Sequence, residues 1–140
     1  MACSILIITR DVDLKNNMHT LFNHHNCMTQ YEETIMRALL AILDHAPDVV
    51  ITDLEIGYDS IIHMIDVMNK SQVRVPVIVM YENESRFILS ELYESGILYR
   101  LQKPLDGDSL GQLKQIIDNI VEKSDSRVYV HGRDAEAGRW

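Results

Sequence analysis

Short apolar runs alternate along the chain with longer stretches in which apolar residues recur at helical spacing. Residues 4–8 read SILII and residues 75–80 read VPVIVM, both too short for helices and suited to strands buried on both faces. Val49, Val50 and Ile51 form a third such run, launched by Pro47, which stops the helix before it. A more polar strand around residues 27–31 belongs near a sheet edge, and a fifth, about residues 97–102, carries Tyr99 and Arg100. Between them, Leu14, Met18, Leu21 and Phe22 mark a first helix, with Asp11 or Asp13 as its N-cap. Ile35, Leu39, Ile42 and Leu43 mark a second, with Glu32 and Glu33 in its first turn, where the helix dipole favours acids. Ile61, Ile65 and Met68 mark a third, capped by Asp59 or Ser60. Ile88 and Leu92 mark a fourth, which stops at Gly96. Leu110, Leu113, Ile117 and Ile120 mark a fifth, and Ser109 with Gln112 have the spacing of a capping box at its start.

Five strands alternating with five helices through short loops predict an α/β fold: a doubly wound, five-stranded parallel sheet with helices on both faces. One domain covers residues 1–123. Beyond Lys123 the sequence loses its helical period, and residues 124–140 read as a C-terminal tail or linker.

Composition narrows the function classes. A net charge of −8 argues against binding nucleic acid through its phosphates. No apolar stretch approaches the ~20 residues of a membrane span, and the four-residue apolar run near the start is too short for a signal peptide, so a cytoplasmic protein is expected. Cys3 and Cys27 make no disulfide framework in a chain of this size and are expected as reduced thiols. His24, His25 and Cys27 lack the second ligand cluster of a closed zinc site and read as a solvated helix end.

The candidate chemistry lies where strands end. Ligands gather at the carboxyl edge of a parallel sheet. The third strand delivers Asp53 there, the fourth Met80-Tyr81 and the fifth Lys103-Pro104. A carboxylate and an ammonium converging on one edge suit the handling of an anion.

These residues carry a resemblance. PDVVITD (47–53) resembles the phosphoacceptor strand of the receiver domains of two-component response regulators, and LQKPLDGDSL (101–110) resembles their Lys-Pro motif with the helix start that follows. The resemblance runs from about Ile5 to Val121 and implies the flavodoxin-like receiver fold. It also implies that Asp53 takes a phosphoryl group from a sensor histidine kinase or phosphotransfer protein, that Lys103 and Tyr81 contact the phosphoryl oxygens, and that the backbone carbonyl of Glu55 contacts a metal. An acyl phosphate would then bias a bistable element read by an output domain or partner protein, so a regulatory module rather than an enzyme is expected.

Some positions depart from the family pattern. Thr9 and Arg10 stand where adjacent acids usually hold Mg²⁺, Tyr81 replaces a small hydroxyl residue, and Arg100 takes the aromatic switch position with Tyr99 one place earlier. The expectation is weak or absent Mg²⁺ binding, with Arg10 turned toward Asp53. Two other readings stay open: a pseudo-receiver used only for protein contacts, and a haloacid-dehalogenase-type phosphatase using Asp11 and Asp13. Mixed charges at Arg86, Glu91, Arg100, Lys114 and Asp118 suggest at most a weak homodimer through the fourth and fifth helices and the fifth strand.

Overall fold

The computed structural model describes residues 3–23, 27–83, 86–103 and 105–134, the side chains of residues 86, 87 and 124–134 excepted. His24, His25, Pro104, Trp140 and the Arg86 side chain therefore lie outside the described residues. The elements follow in the order Cys3–Ile8 (β1), Val12–Phe22 (α1), Cys27–Glu32 (β2), Ile35–Asp44 (α2), Val49–Asp53 (β3), Tyr58–Lys70 (α3), Val77–Tyr81 (β4), Arg86–Ser95 (α4), Tyr99–Gln102 (β5) and Gly107–Asp134 (α5). A 3₁₀ turn, Leu54–Ile56, joins β3 to α3. All four strand pairings are parallel and the sheet order is β2-β1-β3-β4-β5, so β2 is an edge and β1 lies beside β3.

Strand side chains alternate faces, which divides the interior in two. Ile5, Ile7, Ile51, Ile78 and Met80 face α1 and α5, packing on Leu14, Met18, Leu113 and Ile117. Leu6, Ile8, Val50, Val77 and Val79 face the other side, against Ala38 and Ile42 of α2, Ile61 and Met64 of α3 and Leu92 of α4. Burial on both faces is why the central strands are continuous apolar runs. The Tyr58 hydroxyl donates to the Glu91 carboxylate and ties α3 to α4.

The start of α1 is as expected, whereas those of α2, α3 and α5 depart from the sequence expectation because pairing or turn geometry outweighs local signals. Asp11 caps α1, accepting from the N–H groups of Asp13 and Leu14. Glu32 is held in β2 opposite Ile8, and α2 opens behind Thr34, whose side chain accepts from the Arg37 N–H, with no acid in its first turn. Thr34→Ala is expected to cost about 1 kcal/mol, and Glu33→Gln less than about 0.5 kcal/mol, as urea unfolding midpoints would show. Neither Asp59 nor Ser60 caps α3, which follows Gly57 at φ 128°, a backbone region that favours glycine. At α5 the Asp106 carboxylate accepts from the Ser109 N–H at 2.7 Å, so Ser109 receives the cap instead of supplying it. α5 then continues through residues 124–134, where no helix was expected: extending an existing helix adds a hydrogen bond for each residue fixed and needs no new nucleus. On α2, the buried pair is Ala38 and Ile42, while Leu43 is exposed.

The expectation of reduced thiols is also corrected. The β1–β2 register sets Cys3 directly opposite Cys27, with Cα atoms 4.4 Å apart, and the two form a disulfide. A cysteine so bonded offers no thiolate to a zinc ion. Among the described residues, no helix is long and apolar enough to cross a membrane.

Candidate functional site

The site is built at the carboxyl edge, where β1 and β3 are neighbours. Asp53 is the last residue of β3, paired with Met80 of β4, and is 1% exposed. Thr9 directly follows β1 and is fully buried; Lys103 directly follows β5 and is 8% exposed. Two hydrogen bonds converge on one carboxylate oxygen: Thr9 Oγ1 donates to Asp53 Oδ2 at 2.9 Å, and Lys103 Nζ donates to the same atom at 2.9 Å. Asp53 Oδ1 accepts from the Glu55 N–H at 3.2 Å, which also starts the 3₁₀ turn. A buried charge survives only when paired and hydrogen-bonded, and Asp53 has both kinds of partner.

Lys103 reaches further. Its Nζ lies 3.0 Å from Asp11 Oδ2 and 3.3 Å from Glu55 Oε2, so one ammonium serves three carboxylates. The carboxylates of Asp11, Asp53 and Glu55 offer ligand atoms within 4.8 Å of one another. Burial alone would lower the Lys103 pKa, but the hydrogen bonds and charges of Asp53 and Asp11 outweigh it and raise it well above the ordinary lysine value. Burial would likewise raise the Asp11 pKa; the Lys103 hydrogen bond, the Leu14 N–H and the Lys103 charge reverse this and lower it. The Glu55 side chain is 63% exposed, so its contact with Lys103 is screened and contributes little.

Of the residues singled out in the sequence, Thr9, Asp53 and Lys103 are in direct contact. Tyr81 ends β4, and its carbonyl accepts from the Lys103 N–H at 2.7 Å; among the described residues its hydroxyl makes no hydrogen bond to the cluster. Arg10 does not turn toward Asp53. It is exposed and makes no ion pair among the described residues, because the chain bends after Thr9 and the Asp11 N–H donates back to Thr9 Oγ1 at 2.9 Å. Asp11 takes the inward place. Glu55 contributes its side chain, where only its backbone was expected to matter. Asp13 faces solvent on α1, away from the cluster. The signal for Asp11 was present: an N-cap residue sits at the loop end of its helix, here on the edge that carries Asp53.

The donor set fits a hard divalent cation such as Mg²⁺, which prefers carboxylate oxygens. Three carboxylates against one ammonium leave negative charge uncancelled. This removes the ground on which weak Mg²⁺ binding was expected, namely that Thr9 and Arg10 left Asp53 without acidic neighbours.

Comparison with known proteins gives the same picture. A family model described as the response regulator receiver domain matches residues 5–118. No curated protein matches the sequence. Among solved structures, the signal receiver domain of a protein described as a LuxO repressor from Vibrio parahaemolyticus superposes with a TM-score of 0.82 at 19% identity, covering 95% of this chain and all of that one (100%). The receiver domain of the Francisella response regulator 1452 gives 0.74 at 20% identity, covering 87% and 98%. NtrX from Brucella abortus, in complex with ADP, gives 0.77 at 21% identity over 100% of this chain, which spans only 31% of NtrX. At such identities the likeness shows the fold alone.

Proposed function

The chain belongs to the response regulator receiver family of two-component signalling, and from that membership we propose that Asp53 accepts a phosphoryl group from the phosphohistidine of a sensor kinase or phosphotransfer protein. The observation that carries this reading is the pair of contacts on a single oxygen. Thr9 and Lys103 engage Asp53 Oδ2, whereas among the described residues Oδ1 accepts only the longer bond from the Glu55 N–H. Oδ1 is therefore the oxygen with a lone pair to spare. In the transfer a bond forms between this oxygen and phosphorus, the phosphorus–nitrogen bond breaks, and the imidazole leaves. Lys103 is placed to follow charge from the carboxylate to the incoming phosphoryl oxygens, which is electrostatic stabilisation by a preorganised group. Bound Mg²⁺, held by Asp11, Asp53 and Glu55, would supply further charge neutralisation.

The product is a signal, read by an output domain or partner protein in the cytoplasm; the module itself needs no enzymatic activity of its own. The phosphatase reading has no support in the site, since its second aspartate, Asp13, lies outside the cluster. A pseudo-receiver would keep the fold and leave Asp53 unmodified.

Incubation with acetyl phosphate, hydride trapping of the acyl phosphate and peptide mass spectrometry decide between these. The label is expected on Asp53, faster with millimolar Mg²⁺, lost in Asp53→Asn and retained in Arg10→Ala. Label on Asp11 would overturn the assignment, and an unlabelled protein would establish the pseudo-receiver.

A further inference from the structure

The outer face of α2 carries large apolar side chains that the fold leaves uncovered. Met36 is 74% exposed, Leu40 65% and Leu43 49%, while the same helix buries Ala38 and Ile42 against the sheet. Spacings of four and three place Met36, Leu40 and Leu43 in one stripe, directed away from the buried pair. The stripe continues sideways into a groove of about 510 Å³ between α2 and α3, lined by Ile35, Met36, Leu39 and Leu40 with Asp59, Ser60 and His63 of α3. Isolated exposed leucines need no explanation; a continuous stripe with an adjoining apolar groove marks an interaction surface.

The charges beside the stripe identify the occupant. Arg37 and Asp44 are both exposed and lie seven residues apart on one flank of the stripe. Neither forms an ion pair among the described residues. A second α2 laid antiparallel across the first, centred on Leu40, brings Met36 against the other copy's Leu43. A two-fold axis through that centre keeps the charged flanks of both helices on the same side. With a rise of about 1.5 Å per residue, Arg37 of each copy then falls within about 2 Å, measured along the helix axis, of Asp44 of the other. Two equivalent ion pairs close the contact, as an isologous interface requires. A parallel arrangement would set this flank against Leu39 and pair no charge. We propose that α2 is a self-association surface on which α2 of a second copy of this chain packs antiparallel, sealed by reciprocal Arg37–Asp44 pairs. The contact is distinct from the α4–β5–α5 face, where Lys114 already pairs with Asp118, Glu91 with Tyr58, and Arg100 lies over the Tyr93 ring.

Sedimentation equilibrium of the full chain over micromolar to millimolar concentrations tests this, with circular dichroism confirming that each variant is folded. A reversible monomer–dimer equilibrium is expected. Leu40→Asp should weaken it by about tenfold or more. Arg37→Asp and Asp44→Arg should each weaken it, and the double variant R37D/D44R should recover dimerisation to within about threefold of the unaltered protein, because the swapped charges complement each other again. Three results would overturn the proposal: a monomer throughout, which would leave the stripe to some other protein; a dimer indifferent to Leu40→Asp; or a double variant no better than the worse single.

Discussion

Lys103→Met is expected to destabilise the domain by about 3–5 kcal/mol at neutral pH, a large share of the 5–15 kcal/mol that holds a domain of this size folded. The side chain replaced is apolar and of similar length, so little packing is lost. What is lost is the one ammonium among the described residues within hydrogen-bond reach of Asp11, Asp53 and Glu55. Asp53, 1% exposed, is left as a buried anion supported, among the described residues, by Thr9 and the Glu55 N–H. Two features separate this from a packing defect. Millimolar Mg²⁺ should recover part of the deficit, because a cation can replace the missing positive charge among the three carboxylates. Acid should narrow the gap between variant and parent, because protonation neutralises carboxylates in both.

The sign of the pH dependence in the unaltered protein follows from the two shifted groups. The Lys103 pKa is raised in the folded state, so its contribution is complete below the ordinary lysine value of 10.5 and is lost as pH climbs through the raised value. The Asp11 pKa is lowered, so its contribution is complete above the ordinary 3.8 and is lost as pH falls through the lowered value. The cluster therefore stabilises the fold across a plateau between those limits. Urea unfolding from about pH 3 to about pH 10 measures the plateau and the onset of the Asp11 loss at its acid end; the Lys103 loss lies above this range. A Lys103→Met deficit that is constant across this range and indifferent to Mg²⁺ would mean that the ammonium acts only as filler.

Reduction of the Cys3–Cys27 bond is the second large effect. The bond closes a loop with a sequence separation of 24, and constraining a loop of that size in the unfolded chain is worth about 3 kcal/mol. For a domain of this length the melting temperature should fall by something on the order of 10 °C when reductant is added. Cys27→Ser should melt like the reduced protein and be unaffected by reductant. The bond ties edge strand β2 to β1 at their first residues, whereas Asp53 lies at the last residue of β3, on the opposite edge of the sheet. Acetyl phosphate labelling of Asp53 should thus be the same in oxidised and reduced protein, provided that both are folded. Intact mass and thiol titration give the direct check: two free thiols in protein kept from reductant would show that the bond does not form.

The number, order and kind of the elements were legible because they depend on short-range pattern. SILII, VVI and VPVIVM are buried strands wherever the chain places them, and helical spacing such as Leu14–Met18–Phe22 fixes which face turns inward. The same pattern located the site edge, since Asp53 ends the apolar strand β3, Lys103 directly follows β5, and parallel strands share one carboxyl end. Sequence could not set what depends on a partner brought from elsewhere in the chain. Cys3 and Cys27 bond because parallel pairing puts them opposite each other, and nothing local to either residue specifies that register. Glu32 belongs to a strand and not to a helix turn because β1 continues to pair with it. The choice between Arg10 and Asp11 also belonged to the tertiary structure. Both are charged residues just past the same strand, and a bend of one residue decides which points inward. Lys103, arriving from β5 and already neutralising Asp53, makes the inward place favourable for a carboxylate and unfavourable for a second cation, so Asp11 turns in and Arg10 faces water. Periodicity along the chain determines burial; the charge that a buried position accepts is determined by the groups that the fold has already gathered around it.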